Sequence, residues 1–263
     1  MKYLTKAELE KFDKDGYLII KGLFSENELH DAENRINEFA KKKPEDWEQG
    51  KEMAYYETNL RNNERILARV EKAVDYHPEI RRIADSKKLM DCLKDLMKEK
   101  CLLFKDKINY KKPGGAGWAP HQDVQARWDD FASYFISALI AIDDNDVDNG
   151  CLYIAPSHHK RKLIGRYDTQ LQGKDLEGMQ FIPLPTSKGD VVFFDGYTPH
   201  KSDPNLSNKW RRNIYLTYNR ISEGDHRSDY IARKRKELPP DNERIEGMKI
   251  KDCYAHTYLP LKS

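Results

Sequence analysis

The sequence lacks the features that mark the extreme classes of protein. Its four cysteines, Cys92, Cys101, Cys151 and Cys253, are scattered over 263 residues and form no C-x-x-C pair. A disulfide-stapled scaffold is not indicated, and a reducing compartment is the simpler expectation. No run approaches the ~18 apolar residues that a membrane-spanning helix requires. The opening MKYLTKAELEKFDKDG has no apolar stretch of signal-peptide length, and the ending LKS matches no lipidation signal. A cytoplasmic protein without a membrane partner is therefore expected. An excess of one charge is missing too: 46 Lys and Arg face 44 Asp and Glu, a formal net charge of +2. Surfaces that bind polyanions normally show a basic excess, so nucleic acid is not an expected partner.

A folded chain is what remains. The hydrophobic fraction of 38% and aromatic fraction of 11% exceed what disordered chains carry. No repeat and no long linker divides the chain, so one domain over 1–263 is expected. Thr5 with Glu8, and Ser25 with Glu28, have capping-box spacing ahead of two helical patterns. Gly16 ends the first helix, and Tyr17 to Ile20 reads as a short strand. The stretch 41–63 is polar and irregular, as a flap would be. Helical patterns resume at 66–76 and again at 78–98. From residue 100 to 221 the pattern becomes short strands and turns, including CLLFKDKINY, YFISALIAI, GDVVFFD and RNIYLTY. The reading is a mainly β core of 100–221, buttressed by N-terminal helices and a flap over 1–99. A charged extension over 222–263 forms a peripheral lid or helical appendage. A β-sandwich fits that order.

The densest chemistry lies in WAPHQDVQARW. In extended backbone, residues two apart share a face, so His121 and Asp123 present an imidazole and a carboxylate to one point. With a second histidine they form the 2-His-1-carboxylate set that leaves open positions on non-haem Fe(II). Candidates for that histidine are His158, His159, His200, His226 and His256. His200 follows an apolar strand and its turn, and Arg211 stands eleven residues on, opening another strand. A guanidinium there can clamp a carboxylate bidentately. A metal beside an arginine placed for a dicarboxylate describes a 2-oxoglutarate-dependent oxygenase.

HQD at 121–123, NGCLYIAPSHHK at 149–160 and HKSDPNLSNKWRRNIYLTYN at 200–219 together resemble the phytanoyl-CoA dioxygenase (PhyH) family. The resemblance implies a double-stranded β-helix, the cupin-like jelly roll. It implies Fe(II) held by His121, Asp123 and His200, and 2-oxoglutarate held by Arg211 with help from the Ser202 hydroxyl. With dioxygen, such an enzyme releases succinate and CO2 and oxidises a small molecule. A carboxylate at Asp123, rather than a small residue that would admit halide, favours hydroxylation. The segment KDKINYKKPGGAGWAPHQD looks most like members acting on small polar molecules, including 2-aminoethylphosphonate dioxygenases.

Further contacts follow from this frame. Asn109 and Tyr134 are expected at 2-oxoglutarate. Lys107, Gln122, Arg127, Trp128, Tyr215 and Asn219 are expected near the substrate, with Lys107 or Arg127 meeting an anion and Trp128 covering an amine. Asp195 either braces its turn or accepts from His200. Lys107, Arg127 and the loop Asp143–Asp148 mix charges near the expected mouth, which suits a zwitterion such as an aminophosphonate. Desaturation, epimerisation and C–P cleavage stay open as outcomes, as does a jelly-roll binding module without turnover. The oligomeric state is not legible.

Overall fold

Two reciprocal caps open the chain. In the computed structural model, which describes residues 3–248, Thr5 Oγ1 accepts from Glu8 N–H while the Glu8 carboxylate accepts from Thr5 N–H. The helix α1 (Lys6–Asp15) follows. Glu28 likewise accepts from Ser25 N–H at 2.8 Å, ahead of α2 (Glu26–Phe39). The pattern at 78–98 is two helices, α3 (Pro78–Ala84) and α4 (Lys87–Met97). Extended backbone at Ser86 separates them and serves as the N-cap of α4.

The larger sheet has seven strands: β1 (Tyr17–Ile20), β2 (Met53–Thr58), β3 (Arg65–Glu71), β4 (Cys101–Lys111), β6 (Phe135–Ala141), β9 (Val191–Asp195) and β11 (Arg211–Arg220). Their spatial order is β1-β9-β6-β11-β4-β3-β2, and every pairing is antiparallel. The smaller sheet runs β5 (Trp118–His121), β10 (His200–Ser202), β7 (Leu152–Ile154), β8 (Ile182–Leu184). Two facing antiparallel sheets make the double-stranded β-helix. Strand alternation sorts its contents. On β11, Ile214, Leu216 and Tyr218 pack into the core beneath the helices. Tyr215 packs with Leu139, Leu152 and Phe194 between the sheets. Arg211 and Tyr215 therefore share the inner face of β11.

Three expectations are corrected here. Residues 66–76 do not form a helix, because Arg65–Glu71 is β3. Ile66, Leu67 and Val70 fit either period, and the edge of β4 decides: Arg69, Val70 and Glu71 pair with Asn109, Ile108 and Lys107. The expected flap contains β2, which pairs with β3. The region 1–99 thus supplies three strands of the main sheet. The extension after 221 is not peripheral either, since its helix α5 (Arg227–Glu237) buries Tyr230 and Lys234. His256 and Cys253 lie outside the described residues.

Gly150 and Gly189 sit in turns at φ +75° and +87°. A Cβ at either would collide with backbone, of Asp203 and Phe24 respectively, so glycine is required there. Among the described residues, no helix is long and apolar enough to cross a membrane.

Candidate active site

Cross-strand register brings the two histidines together. His121 closes β5, His200 opens β10, and the two are direct partners in the ladder. Their ring centroids are 4.3 Å apart. Gln122 keeps extended backbone, φ −108° and ψ 138°, and Asp123 begins the short 3-10 turn Asp123–Ala126. The parity of H-x-D therefore holds up to Asp123, whose Oδ1 lies 4.0 Å from His200 Nε2. One ligand atom from each of His121, Asp123 and His200 lies within 4.8 Å of the others, and all three side chains are withdrawn from solvent.

The surroundings prepare these atoms. His121 Nδ1 hydrogen-bonds Ala119 O at 2.8 Å, and His200 Nδ1 hydrogen-bonds Thr198 O at 3.0 Å. Both bonds require the proton on Nδ1, so each ring's Nε2 carries the lone pair that a metal takes. Burial pushes the His200 pKa below 6.5, which keeps the imidazole neutral. Ser137 Oγ donates to Asp123 Oδ2 at 3.1 Å and meets Thr217 Oγ1 at 2.8 Å. Two neutral imidazoles and one carboxylate match the donor set of a non-haem Fe(II) site.

A second cluster lies beside the first. Arg211 pairs with Lys111 across β11 and β4, and both are buried. Neither forms an ion pair with a carboxylate among the described residues. Arg211 Nε has no hydrogen-bond partner, while its guanidinium reaches the Tyr215 phenol. Lys111 Nζ donates to Ser202 Oγ at 2.7 Å and Asp203 O at 2.6 Å. Burial first, then the Arg211 charge, drives the Lys111 pKa well below 10.5. A buried guanidinium and amine without a carboxylate partner could receive one. Ser202 and Tyr215 line the cavity that holds the triad. Asn109, lining the same cavity, has a buried Oδ1 with no partner. These groups fit 2-oxoglutarate.

The phytanoyl-CoA dioxygenase (PhyH) family profile matches residues 12–213. The chain belongs to this family. It is 37% identical over 250 residues to a 2-aminoethylphosphonate dioxygenase from uncultured bacterium HF130_AEPn_1, covering 94% of each chain. It is 35% identical over 234 residues to a methylphosphonate hydroxylase of Gimesia maris, covering 89% of this chain and 87% of the relative. EctD from S. alaskensis, solved with 2-oxoglutarate and 5-hydroxyectoine, shares the fold. Its TM-score is 0.71 over 84% of this chain and 78% of its own, at 20% identity. Family and triad together make this protein an Fe(II)- and 2-oxoglutarate-dependent dioxygenase, not a binding module without turnover.

Not every residue expected at this PhyH-family site is there. Lys107, Asn109, Gln122, Trp128, Ser202 and Tyr215 line the cavity with the triad. Gln122 has no amide N–H to spare. Its Nε2 donates to Lys162 O and Tyr197 O, and its Oε1 accepts from Ile164 N–H at 2.6 Å, so it pins the loops of the mouth. Tyr134 is misplaced by the sequence reading. It has the parity of Ile136 and packs on the helix-side core, over Arg220 and beside Asp195. Asn219 has the right parity but sits at the far end of β11, where it donates to Arg220 O and Gly224 O and caps a turn. Arg127 is tied to Asp168 at 2.9 Å, outside the lining.

Other second-rank expectations shift as well. Asp195 braces its own turn by accepting from Tyr197 N–H, while Thr198 O serves His200. Asp143, Asp144 and Asp146 line a different cavity, with Lys188 and Arg212, so they give the mouth no negative charge. His158 and His159 lie in a separate loop, and His226 bonds Glu223 O. Five cations at the site were not among the expected residues: Arg69, Lys105, Lys201 and Lys234 in the lining and, beneath Ser202, Lys111. Lys111 was findable, because it continues the alternation of Lys105, Lys107 and Asn109 along β4. Arg69 was hidden by the helical reading of β3.

Proposed function

We propose that the protein hydroxylates a C–H bond of a small organophosphonate, and that residues 1–263 form one oxygenase unit. One oxygen atom of O2 enters the substrate as hydroxyl and the other enters succinate. 2-Oxoglutarate loses its C1 carboxylate as CO2, which balances atoms and electrons. The observation that carries this reading is one cavity holding both the triad and Arg69, Lys105, Lys107 and Lys234, with Asp123 as its one lining carboxylate among the described residues. Two relatives named for phosphonates support it.

In this reading His121, Asp123 and His200 hold Fe(II), which activates O2 with the cosubstrate. Arg211 and Lys111 receive the distal carboxylate of 2-oxoglutarate, and Tyr215 and Ser202 orient it. Asn109 Oδ1, buried without a partner, is an acceptor for a donor group of the substrate. Trp128 walls the site and, with Lys105 against its ring, excludes water. The small cavity, about 60 Å³, suits a substrate of few heavy atoms.

The test is aerobic turnover with Fe(II), 2-oxoglutarate and either methylphosphonate or 2-aminoethylphosphonate. Succinate should form in step with a product heavier by one oxygen. A product lighter by two hydrogens would mean desaturation, and released phosphate would mean C–P cleavage. Succinate formation that ignores every phosphonate would refute the substrate class.

A further inference from the structure

We propose that Arg69, Lys105, Lys107 and Lys234 form a cradle for the substrate's anionic head, selective for a doubly charged phosphonate over a singly charged acid. This rests on the organophosphonate reading and narrows it to particular residues and a charge state.

Three elements converge on the cradle. Lys105 and Lys107 alternate on the inner face of β4, Arg69 comes from the neighbouring β3, and Lys234 reaches in from α5. All four line the cavity of the triad. Aromatic faces hold much of this charge. Arg69 lies 4.2 Å from the Tyr55 ring, Lys105 Nζ 5.3 Å from Trp128, and Lys107 Nζ 4.7 Å from Tyr215. A ring face stabilises a cation without using its N–H donors, so those donors stay available to a ligand.

Glu71 pairs with two of the four cations. Glu71 accepts from Lys234 Nζ at 2.5 and 2.6 Å and lies 3.1 Å from Arg69 Nε. Lys105 and Lys107 form no ion pair with a carboxylate among the described residues. Arg69, 8% exposed, has a buried Nε with no hydrogen-bond partner. Four cations against Glu71 and the proposed metal ligand Asp123 leave an excess that a dianion neutralises better than a monoanion. Burial first, and then the Lys105 charge, lowers the Lys107 pKa to about 8. Arg211 and Lys111 are not among the cavity's lining residues and reach it through Tyr215 and Ser202, so the cradle is a different set of cations from the one proposed for the cosubstrate.

The experiment is calorimetry at pH 8 on the anaerobic Fe(II)–2-oxoglutarate protein. The probes are methylphosphonate and its singly charged isostere, methanesulfonate. The intact protein should bind methylphosphonate at least about tenfold more tightly, the worth of one charge-assisted hydrogen bond. Lys105→Met should cost methylphosphonate about tenfold and methanesulfonate much less, with the 2-oxoglutarate titration of the visible Fe(II) band unmoved. Glu71→Gln, which removes the counter-charge, should tighten methylphosphonate binding, whereas a purely structural Glu71 would weaken it. If Glu71→Gln fails to fold, Lys105→Met decides alone, since it breaks no ion pair. Equal affinity for the two probes, or unchanged methylphosphonate affinity in Lys105→Met, overturns the cradle. If the intact protein turns over a phosphonate yet shows either result, only the cradle falls. If it neither binds nor oxidises any phosphonate, the proposed function falls first.

Discussion

Ser137→Ala removes one oxygen atom from behind the metal centre and leaves every proposed ligand in place. In the folded protein the Ser137 hydroxyl donates to Asp123 Oδ2 at 3.1 Å and accepts from Thr217 at 2.8 Å. Ser137 is 1% exposed, so water does not readily replace it. A hydrogen bond to a charged group contributes roughly 1.5–3 kcal/mol. At 3.1 Å this one is long for a hydroxyl donor, which places it near 1.5 kcal/mol. That corresponds to about a tenfold loss of Fe(II) affinity, the lower end for supports of metal ligands. Thr217 also loses its acceptor, costing about 1 kcal/mol of stability and shifting Tm by about 2–4 °C. The assay is an anaerobic Fe(II) titration at saturating 2-oxoglutarate, read from the visible absorbance of the ternary complex. An Fe(II) midpoint within twofold of the parent, with Tm lowered, would show that Ser137 merely fills space and would refute the reasoning.

Other perturbations separate the remaining parts. Arg211→Met should raise the KM for 2-oxoglutarate by about 100-fold, since it strips a buried bidentate donor from a carboxylate, while Fe(II) binding without cosubstrate stays intact. Asp195 tests the pH dependence. Burial lifts its pKa from 3.8 to about 7, so the folded state holds a proton that the unfolded state releases. Its contribution is therefore complete below about pH 4 and is lost as pH rises through 7, by roughly 4 kcal/mol. Asp195→Asn keeps the acceptor for Tyr197 N–H and should stabilise the protein at pH 8 far more than at pH 5, as thermal melts at the two values would show. Lys234→Met removes the hydrogen-bonded partner of buried Glu71 and leaves it Arg69 at 3.1 Å and the charge of Lys105, and chemical denaturation should report a loss of about 3–5 kcal/mol. The double variant with Glu71→Gln should recover most of it.

The metal ligands were legible because their positions follow from local rules. Extended backbone puts His121 and Asp123 on one side, and an apolar strand ending in a turn delivers His200. Parity alone was not enough at Asn219, and at Tyr134, expected at 2-oxoglutarate without it, parity would have pointed to the core. Tyr134 precedes β6 with the parity of the helix-side residues, whereas Asn219 has the correct face but lies beyond the reach of the cavity. Parity tells which side of a sheet a residue takes, not how far along the strand the site extends. Arg69 was lost with the misread period of β3, where Ile66, Leu67 and Val70 satisfy both helix and strand. Lys234 had no local signal. A lysine in a charged tail helix reads as solvated, and only its meeting with Glu71, far away in sequence, reveals it as interior.

The opposition of His121 and His200 in the β5–β10 ladder has a mechanical consequence. Those strands have four and three residues, and β5 lies at the edge of its sheet. So short a seam has little cohesion of its own. An ion gripping one side chain from each strand would act as a rivet, closing the long excursion of chain from 121 to 200. Loading the protein with Fe(II) would then do more than equip it for oxidation. It would tighten one rim of the barrel, and amide exchange at 118–121 and 200–202 should slow on metal binding while the seven-stranded sheet, already sealed by longer ladders, stays as it was.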